Sequence, residues 1–275
     1  MRIRDIENVL RYGRVVRNPW RAASARKRGA GELVPLRLRG GGELVIRSRT
    51  SDIRVFKDVY LKDVYRLRRL EKLTLSRGAL DCVVDIGGHI GIFSSRASRL
   101  ARRVIACEPM QENAAVFRRN MEAFPCPNVQ LVEQGVSSSG DDSTFFTSEN
   151  SAGHSVFEGL SGSGGPSGRV GSSRVVSMTT LAKVFEDFEI ERCNFLKVDC
   201  EGGEYDILFG AGADLLSRID RIAMEYHNLG EAYPQNTGEE LERHLTANGF
   251  VVDRRASARH TNYGLLFAHR EGVAW

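Results

Sequence analysis

Asp85-Ile-Gly-Gly-His-Ile-Gly91 joins a short apolar run, Cys82-Val-Val-Asp-Ile86, to residues 90–100, whose apolar side chains recur at helical spacing. Glycine at such a junction permits positive φ and lets a ligand approach the backbone without a Cβ in the way. The strand–helix alternation continues downstream. Arg103-Val-Ile-Ala-Cys-Glu108 reads as the next strand, residues 112–124 as the next helix and Val129-Gln-Leu-Val132 as a third strand. Farther on, Phe195-Leu-Lys-Val-Asp199 and Arg221-Ile-Ala-Met-Glu225 are strands, with helices at 204–216 and 239–247, the latter stopped by Asn248-Gly249. Residues 250–253 and 263–269 are expected to pair as a closing hairpin. Repeated βα units of this length imply an α/β fold, a mostly parallel sheet with helices on both faces.

Residues 1–80 read differently. A helical pattern with Ile6, Val9 and Leu10 breaks at Asn18-Pro19, and Gly40-Gly41-Gly42 separates two alternating runs, 33–39 and 43–48, as a hairpin turn would. Helical spacing returns at 58–75. Residues 1–80 are therefore expected to form a helical and hairpin cap or lead-in, with the main domain spanning 81–275. The Gly/Ser-rich residues 151–173 hold too few apolar side chains to pack and are expected to be a flexible loop, a candidate active-site lid.

Bulk properties narrow the function classes. No apolar run approaches the length of about 18 residues that a membrane span needs. The first residues lack the apolar core of a secretory signal. The five cysteines are an odd number without paired metal spacing, which fits buried thiols in a reduced, cytoplasmic protein better than a disulfide framework. Net charge is only +4, but residues 1–80 hold 21 Lys and Arg against 8 Asp and Glu. That basic segment suits an acidic partner such as a carrier protein, a phosphorylated substrate, nucleic acid or a membrane surface, and suits a solvated Arg-rich face equally well. Aromatic residues are not interleaved with the arginines, which weighs against nucleic acid. An exposed edge hairpin is compatible with a homodimer.

The glycine loop has D-x-G-x-x-x-G spacing rather than the G-x-G-x-x-G of a dinucleotide site. Asp85 at the strand end would repel pyrophosphate but suits the cationic methionine end of S-adenosylmethionine. N–H groups at the helix start would favour that ligand's carboxylate. Glu108 closes the following strand about 20 residues on, where a carboxylate accepts both ribose hydroxyls, and Pro109 delays the next helix. Asp85, Gly87, Gly88, His89, Gly91, Glu108, Pro109 and Gly135 are the expected cofactor-binding positions. Both acids fall at carboxyl ends of adjacent strands, where open α/β sheets bind ligands.

Several segments resemble the FkbM family of methyltransferases: Thr50-Ser-Asp-Ile-Arg-Val-Phe56, Val84-Asp-Ile-Gly-Gly-His-Ile-Gly91, Ala106-Cys-Glu-Pro-Met-Gln-Glu-Asn113, Leu196-Lys-Val-Asp-Cys-Glu-Gly-Gly-Glu204 and Ala223-Met-Glu-Tyr-His227. The L-K-x-D-x-E-G-x-E block is the most specific of them. The chain departs from the family at Gly87-Gly88-His89, where G-A-N is common. The resemblance implies a Rossmann-like seven-stranded methyltransferase fold with an antiparallel last strand, S-adenosylmethionine as donor, and O-methylation of a hydroxyl on a sugar, polyketide or other secondary metabolite. It extends to macrocin-type O-methyltransferases, which bind Mg²⁺ through acids at the ends of two strands; the corresponding positions here are Asp199 and Glu225.

Methyl transfer to oxygen requires an aligned hydroxyl and removal of its proton. Asp199, Glu201, Glu204, Glu225 and His227 gather at two expected strand ends, and Asp199, Glu225 and His227 are the catalytic candidates. His227 is a candidate base because a histidine titrates near neutrality. Asp199 and Glu225 are alternatively a hard-metal pair that would acidify the hydroxyl. Glu201 and Glu204 have a second reading, as complements to a helix N-terminus. Lys197 is expected either to pair with a carboxylate of the site or to reach the sheet edge. His154, His244 and His260 are expected to be solvent-exposed. Competing functions are N-methylation of an amine or peptide, which needs no strong base, and a cofactor-binding protein without turnover. The acceptor, small or carrier-bound, is not encoded in any spacing.

Overall fold

The computed structural model describes residues 3–146, 173–230, 233–257 and 263–275. The segment read as a lid falls almost wholly outside them, as do His154 and His260. The chain begins with α1 (Ile3–Gly13) and α2 (Pro19–Ser24), the second opened by Pro19 where a missing N–H is no loss. Strands β1 (Leu33–Arg37) and β2 (Glu43–Arg47) then pair as the expected antiparallel hairpin. Helix α3 (Asp52–Phe56) continues as a π-helical stretch, Lys57–Lys62, which stops where Asp63 takes a φ of 60°. Helix α4 (Leu67–Arg77) follows. The single helix expected across 58–75 is thus two, because Asp63 and Arg66 both adopt left-handed backbone between them.

The main sheet begins with β3 (Leu80–Ile86), then α5 (Ile92–Ala97), β4 (Ala101–Cys107), α6 (Gln111–Ala123) and β5 (Val129–Val132). Helix α5 is shorter than the expected 90–100: Gly91, at φ 78°, delays its start, and a tight turn through Arg99 and Leu100 ends it. Four short strands come next, β6 (Gly135–Ser137), β7 (Ser143–Phe146), β8 (Ser173–Val176) and β9 (Met178–Thr180), pairing β6 with β9 and β7 with β8, and then α7 (Leu181–Asp187). The chain returns to the sheet as β10 (Phe195–Val198), α8 (Glu204–Gly210), α9 (Ala213–Ser217), β11 (Arg221–His227), α10 (Gly238–Ala247), β12 (Phe250–Ala256) and β13 (Tyr263–Arg270). Extended backbone at Ala211 splits the helix expected over 204–216 into α8 and α9.

Seven strands lie in the order β12-β13-β11-β10-β3-β4-β5, with the central pairings parallel and β13 antiparallel to both neighbours. This is the Rossmann-like sheet with an antiparallel last strand. A parallel sheet must bury both faces, and strand alternation sorts its side chains between two cores. Val83, Phe195, Ala223 and Phe267 face the N-terminal segment, packing with Leu36, Ile46, Phe56 and Leu70. Val84, Leu196, Met224 and Leu266 face α7, α8 and α10. Each fully buried Leu, Ile or Phe contributes roughly 1.5–3 kcal/mol, and the buried side chains between Tyr12 and Leu70 form one wall of the sheet's own core. Cys82, Cys107, Cys126 and Cys193 are buried free thiols. Among the described residues no helix is long and apolar enough to cross a membrane.

Candidate active site

A cleft of about 770 Å³ opens at the carboxyl ends of β3, β4, β10 and β11. Its size lies within the roughly 300–1,000 Å³ of small-molecule sites. The strand order reverses between β3 and β10, the position at which open α/β sheets take ligands.

The glycine loop owes its composition to close packing. Gly87 has a φ of 78°, and a Cβ there would fall 1.9 Å from the carbonyl oxygen of Asp199, so only glycine lets the loop lie this close to the end of β10. A Cβ at Gly91, also at φ 78°, would meet Met121 at 2.8 Å. The N–H groups of Gly87 and Gly88 both donate to the Cys107 carbonyl, at 3.1 and 2.9 Å, and that of Gly91 donates to Gly88 at 2.9 Å. These donors, expected to meet an anion, are spent holding the loop against β4. His89 adopts a φ of 51°. Asn and His are both enriched among the non-glycine residues that tolerate left-handed backbone, a physical reason why His stands where Asn is common.

Glu108 lies at the centre of the cleft end formed by β3 and β4. Its Oε2 accepts the His89 N–H at 2.7 Å, and its Oε1 accepts the Met110 N–H at 3.0 Å and Asn113 Nδ2 at 3.1 Å. Burial raises its pKa above the ordinary value, against the opposing pull of His89 and these donors. Pro109 and Gly135 line the cleft beside it, with Val136, Phe145 and Met178 as an apolar wall built by the short inserted strands. Asn113 is itself held by Arg47, whose Nη2 donates to Asn113 Oδ1 at 2.7 Å while its guanidinium also grips Asp52. The His89 ring turns to the same carboxylate, Nε2 to Asp52 Oδ1 at 3.3 Å. Burial alone would push Asp52 up, but hydrogen bonds from His89 and Arg47 outweigh it and hold the carboxyl well below the usual range.

Asp85 does not line the cleft. It stands opposite Lys197 in the β3–β10 register, fully buried, with Nζ 3.1 Å from Oδ1, and Ser94 donates to its Oδ2 at 2.5 Å. Lys197 also donates to the carbonyls of Ile86 and Gly87, at 3.1 and 2.6 Å. The expected partner of the cofactor's cationic end is thus already neutralised within the protein. Gly91 likewise packs behind the loop rather than on the cleft wall.

At the other end of the cleft lie Asp199, Glu201 and Glu225. Asp199 Oδ2 accepts the Tyr65 hydroxyl at 2.7 Å. Burial pushes Asp199 up, but Lys197, Tyr65, His227 and Arg54 together hold it below its ordinary value. Glu201 is pushed up to about 8, chiefly by burial, with Asp199 and Glu225 adding to it against the pull of His227. Glu225 is also raised, burial first. His227 lies behind these acids, Nδ1 3.1 Å from Glu204 and Nε2 3.4 Å from Glu201 and 3.6 Å from Glu225. Burial would lower its pKa, but the surrounding carboxylates raise it well above the ordinary value. Both ring nitrogens thus face carboxylates, an arrangement that favours the charged imidazole over the base role expected of it. Glu204 accepts the N–H groups of Cys200 and Gly202, at 3.2 and 2.9 Å, as a loop-closing acid would.

Among the described residues, no group of three or more His, Cys, Asp or Glu side chains is disposed to hold a metal ion. The Asp199–Glu225 pair does not fit the expected Mg²⁺: Asp199 Oδ2 is engaged by Tyr65, and Glu201 beside it does not complete a metal-holding group among the described residues. His244, expected to be exposed, is half-buried, with Nε2 2.9 Å from the Leu208 carbonyl. Sequence reasoning missed Tyr65, Arg54 and Asn113. The last two lie in the segments that carry the family resemblance, whereas Tyr65 gave no signal.

The Methyltransferase FkbM domain family matches residues 85–252. Among curated proteins, the AMB antimetabolite synthetase AmbE of Pseudomonas aeruginosa is 25% identical over 265 residues, a similarity covering 80% of this chain and 12% of AmbE. The chain thus spans about an eighth of that relative's length. Among solved structures, the chain is similar to a methyltransferase FkbM from Methylobacillus flagellatus, with a TM-score of 0.46 and 13% identity over 97% of this chain and 59% of the other. It is also similar to a SAM-dependent methyltransferase from Agrobacterium tumefaciens, with a TM-score of 0.48 and 11% identity over 88% and 71% of the two chains.

Proposed function

Because that match covers more than half of its length, the chain belongs to the FkbM methyltransferase family, and from this premise we propose that it transfers a methyl group from S-adenosylmethionine to a hydroxyl. The observation that carries the reading is that Glu108, tied to the glycine loop, shares one cleft with Asp199, Glu201 and Glu225. The residues fit the cofactor. Glu108 offers an oriented carboxylate for ribose hydroxyls, and Val136, Phe145 and Met178 offer an apolar wall for a flat ring.

When bound, S-adenosylmethionine supplies an electrophilic methyl carbon on a sulfonium. Glu201 is the proton acceptor of the acceptor hydroxyl, because a carboxyl titrating near 8 is a stronger base than an ordinary carboxylate. Asp199, kept ionised chiefly by Lys197 and oriented by Tyr65, would complement the positive charge of the bound group. His227 holds Glu201, Glu204 and Glu225 together as a shared cation. No step requires a metal.

The acceptor is a small metabolite or a carrier-bound intermediate of specialised biosynthesis. AmbE's name as an antimetabolite synthetase supports that class, and the Arg-rich residues 1–80 suit an acidic carrier. The test is release of S-adenosylhomocysteine with a panel of hydroxyl and amine acceptors. Hydroxyl acceptors are expected to turn over, and Glu201→Gln to slow them by about 10²–10⁴-fold. Turnover confined to amines and unaffected by Glu201→Gln would contradict O-methylation.

A further inference from the structure

The basic side chains bordering the cleft, among the described residues, are Arg54, Lys62, His89 and Lys197. Three of them are engaged. Lys197 is taken by Asp85 and two carbonyls, His89 by Asp52, and Lys62 by Asp58 at 2.6 Å. Arg54 differs. It is half-buried on α3 and lines the cleft, yet its guanidinium has no hydrogen-bond or ion-pair partner among the described residues. Burial works against its charge, but the neighbouring Glu225, Glu201 and Asp199 outweigh that and favour the cation.

We infer that Arg54 is the anchor for the α-carboxylate of the cofactor's methionine end, an inference that rests on the S-adenosylmethionine reading above. That end of the cofactor carries a carboxylate beside an ammonium and a sulfonium. Asp199, held ionised, suits the two cations, with Glu201 and Glu225 as polar neighbours, but it would repel the carboxylate unless a cation stood near it. The glycine loop does not supply the missing donors. The N–H groups of Gly87 and Gly88 are spent on Cys107, that of His89 on Glu108 and that of Gly91 on Gly88. A guanidinium fork matches a carboxylate with two parallel hydrogen bonds, stronger than neutral ones.

The position of Arg54 is also fixed relative to the ribose acid. Helix α3 begins at Asp52, which Arg47 clamps at 3.0 Å; the same Arg47 holds Asn113, and Asn113 holds Glu108. One short chain of charge-assisted hydrogen bonds therefore sets the spacing between the carboxylate anchor and the ribose acceptor before any ligand arrives. Such preorganisation lowers the ordering cost of binding.

Calorimetry with S-adenosylhomocysteine and 5′-methylthioadenosine tests this, because the second keeps the adenosine and thioether but lacks the amino-acid end. The wild-type protein is expected to prefer S-adenosylhomocysteine by about ten- to a hundredfold. Arg54→Gln is expected to lower the affinity for S-adenosylhomocysteine by about tenfold or more while 5′-methylthioadenosine binds as before, which also shows that the variant is folded. Arg54→Lys, a point charge without the fork, should fall between the two. An unchanged preference in Arg54→Gln, or a parallel loss of both ligands, would overturn the assignment. Failure of the wild-type protein to bind either ligand would instead overturn the cofactor reading beneath it.

Discussion

The backbone N–H of His89 donates to Glu108 Oε2 at 2.7 Å, joining the glycine loop at the end of β3 to the acid at the end of β4. The loop and the acid are therefore one unit. Three donors orient the carboxylate, and the neighbouring glycines turn their N–H groups inward to keep the loop against the same strand. At this end the cleft presents side chains set in advance, while the N–H groups of Gly87, Gly88, His89 and Gly91 are already used within the protein.

Asp85 belongs to the foundation of that unit. Replacing it by Asn leaves Lys197 buried without its counter-charge, which typically costs about 3–5 kcal/mol. The expected result is a marked fall in Tm, with the affinity of the folded fraction for S-adenosylhomocysteine within about threefold of wild type. Lost binding at an unchanged Tm would make Asp85 a direct ligand instead.

His227→Ala removes the cation shared by Glu201, Glu204 and Glu225 and should also destabilise by about 3–5 kcal/mol. The pH dependence identifies the cause. The folded pKa of His227 is raised above 6.5, so its contribution is complete below pH 6.5, declines as pH rises from there and is gone above the raised value. The Tm gap between wild type and variant should be widest below about pH 6.5 and narrow steadily as pH rises from there into alkali. A histidine acting only as a base would show lost turnover at an unchanged Tm.

Much of this architecture was readable in advance, and the reason is local. Each main strand is a short apolar run ended by glycine, an acid or a polar turn, so β3, β4, β5, β10, β11, β12 and β13 announce themselves by pattern. Glu108 and the loop were legible because both sit at fixed points of a strand–helix repeat. What escaped is non-local or too short to carry a period. Strands β6 to β9 are three or four residues long. The Asp85–Lys197 pair links residues that only the register of β3 and β10 brings together. The protonation of His227 depends on Glu201 and Glu204, which arrive from another strand end. Tyr65 reaches Asp199 from a wall whose packing against the sheet no spacing encodes.

If Glu201 takes the proton, as proposed, it sets the pH response of turnover. Its carboxyl, raised to about 8, is neutral below that pH and becomes a base above it. With a hydroxyl acceptor, kcat/KM should rise about tenfold per pH unit below about pH 8 and level off above. A profile flat from about pH 6 to 9 would assign the proton to another group.

The most direct measurement is calorimetric binding of S-adenosylhomocysteine to the wild-type protein and to Glu108→Ala, with Tm recorded for both. Wild type is expected to bind one equivalent, and the variant to bind more weakly by roughly 1–3 kcal/mol through the lost charge-assisted hydrogen bonds. Absence of binding to the folded wild-type protein, or the same affinity in folded Glu108→Ala, would contradict the placement of the cofactor at the ends of β3 and β4.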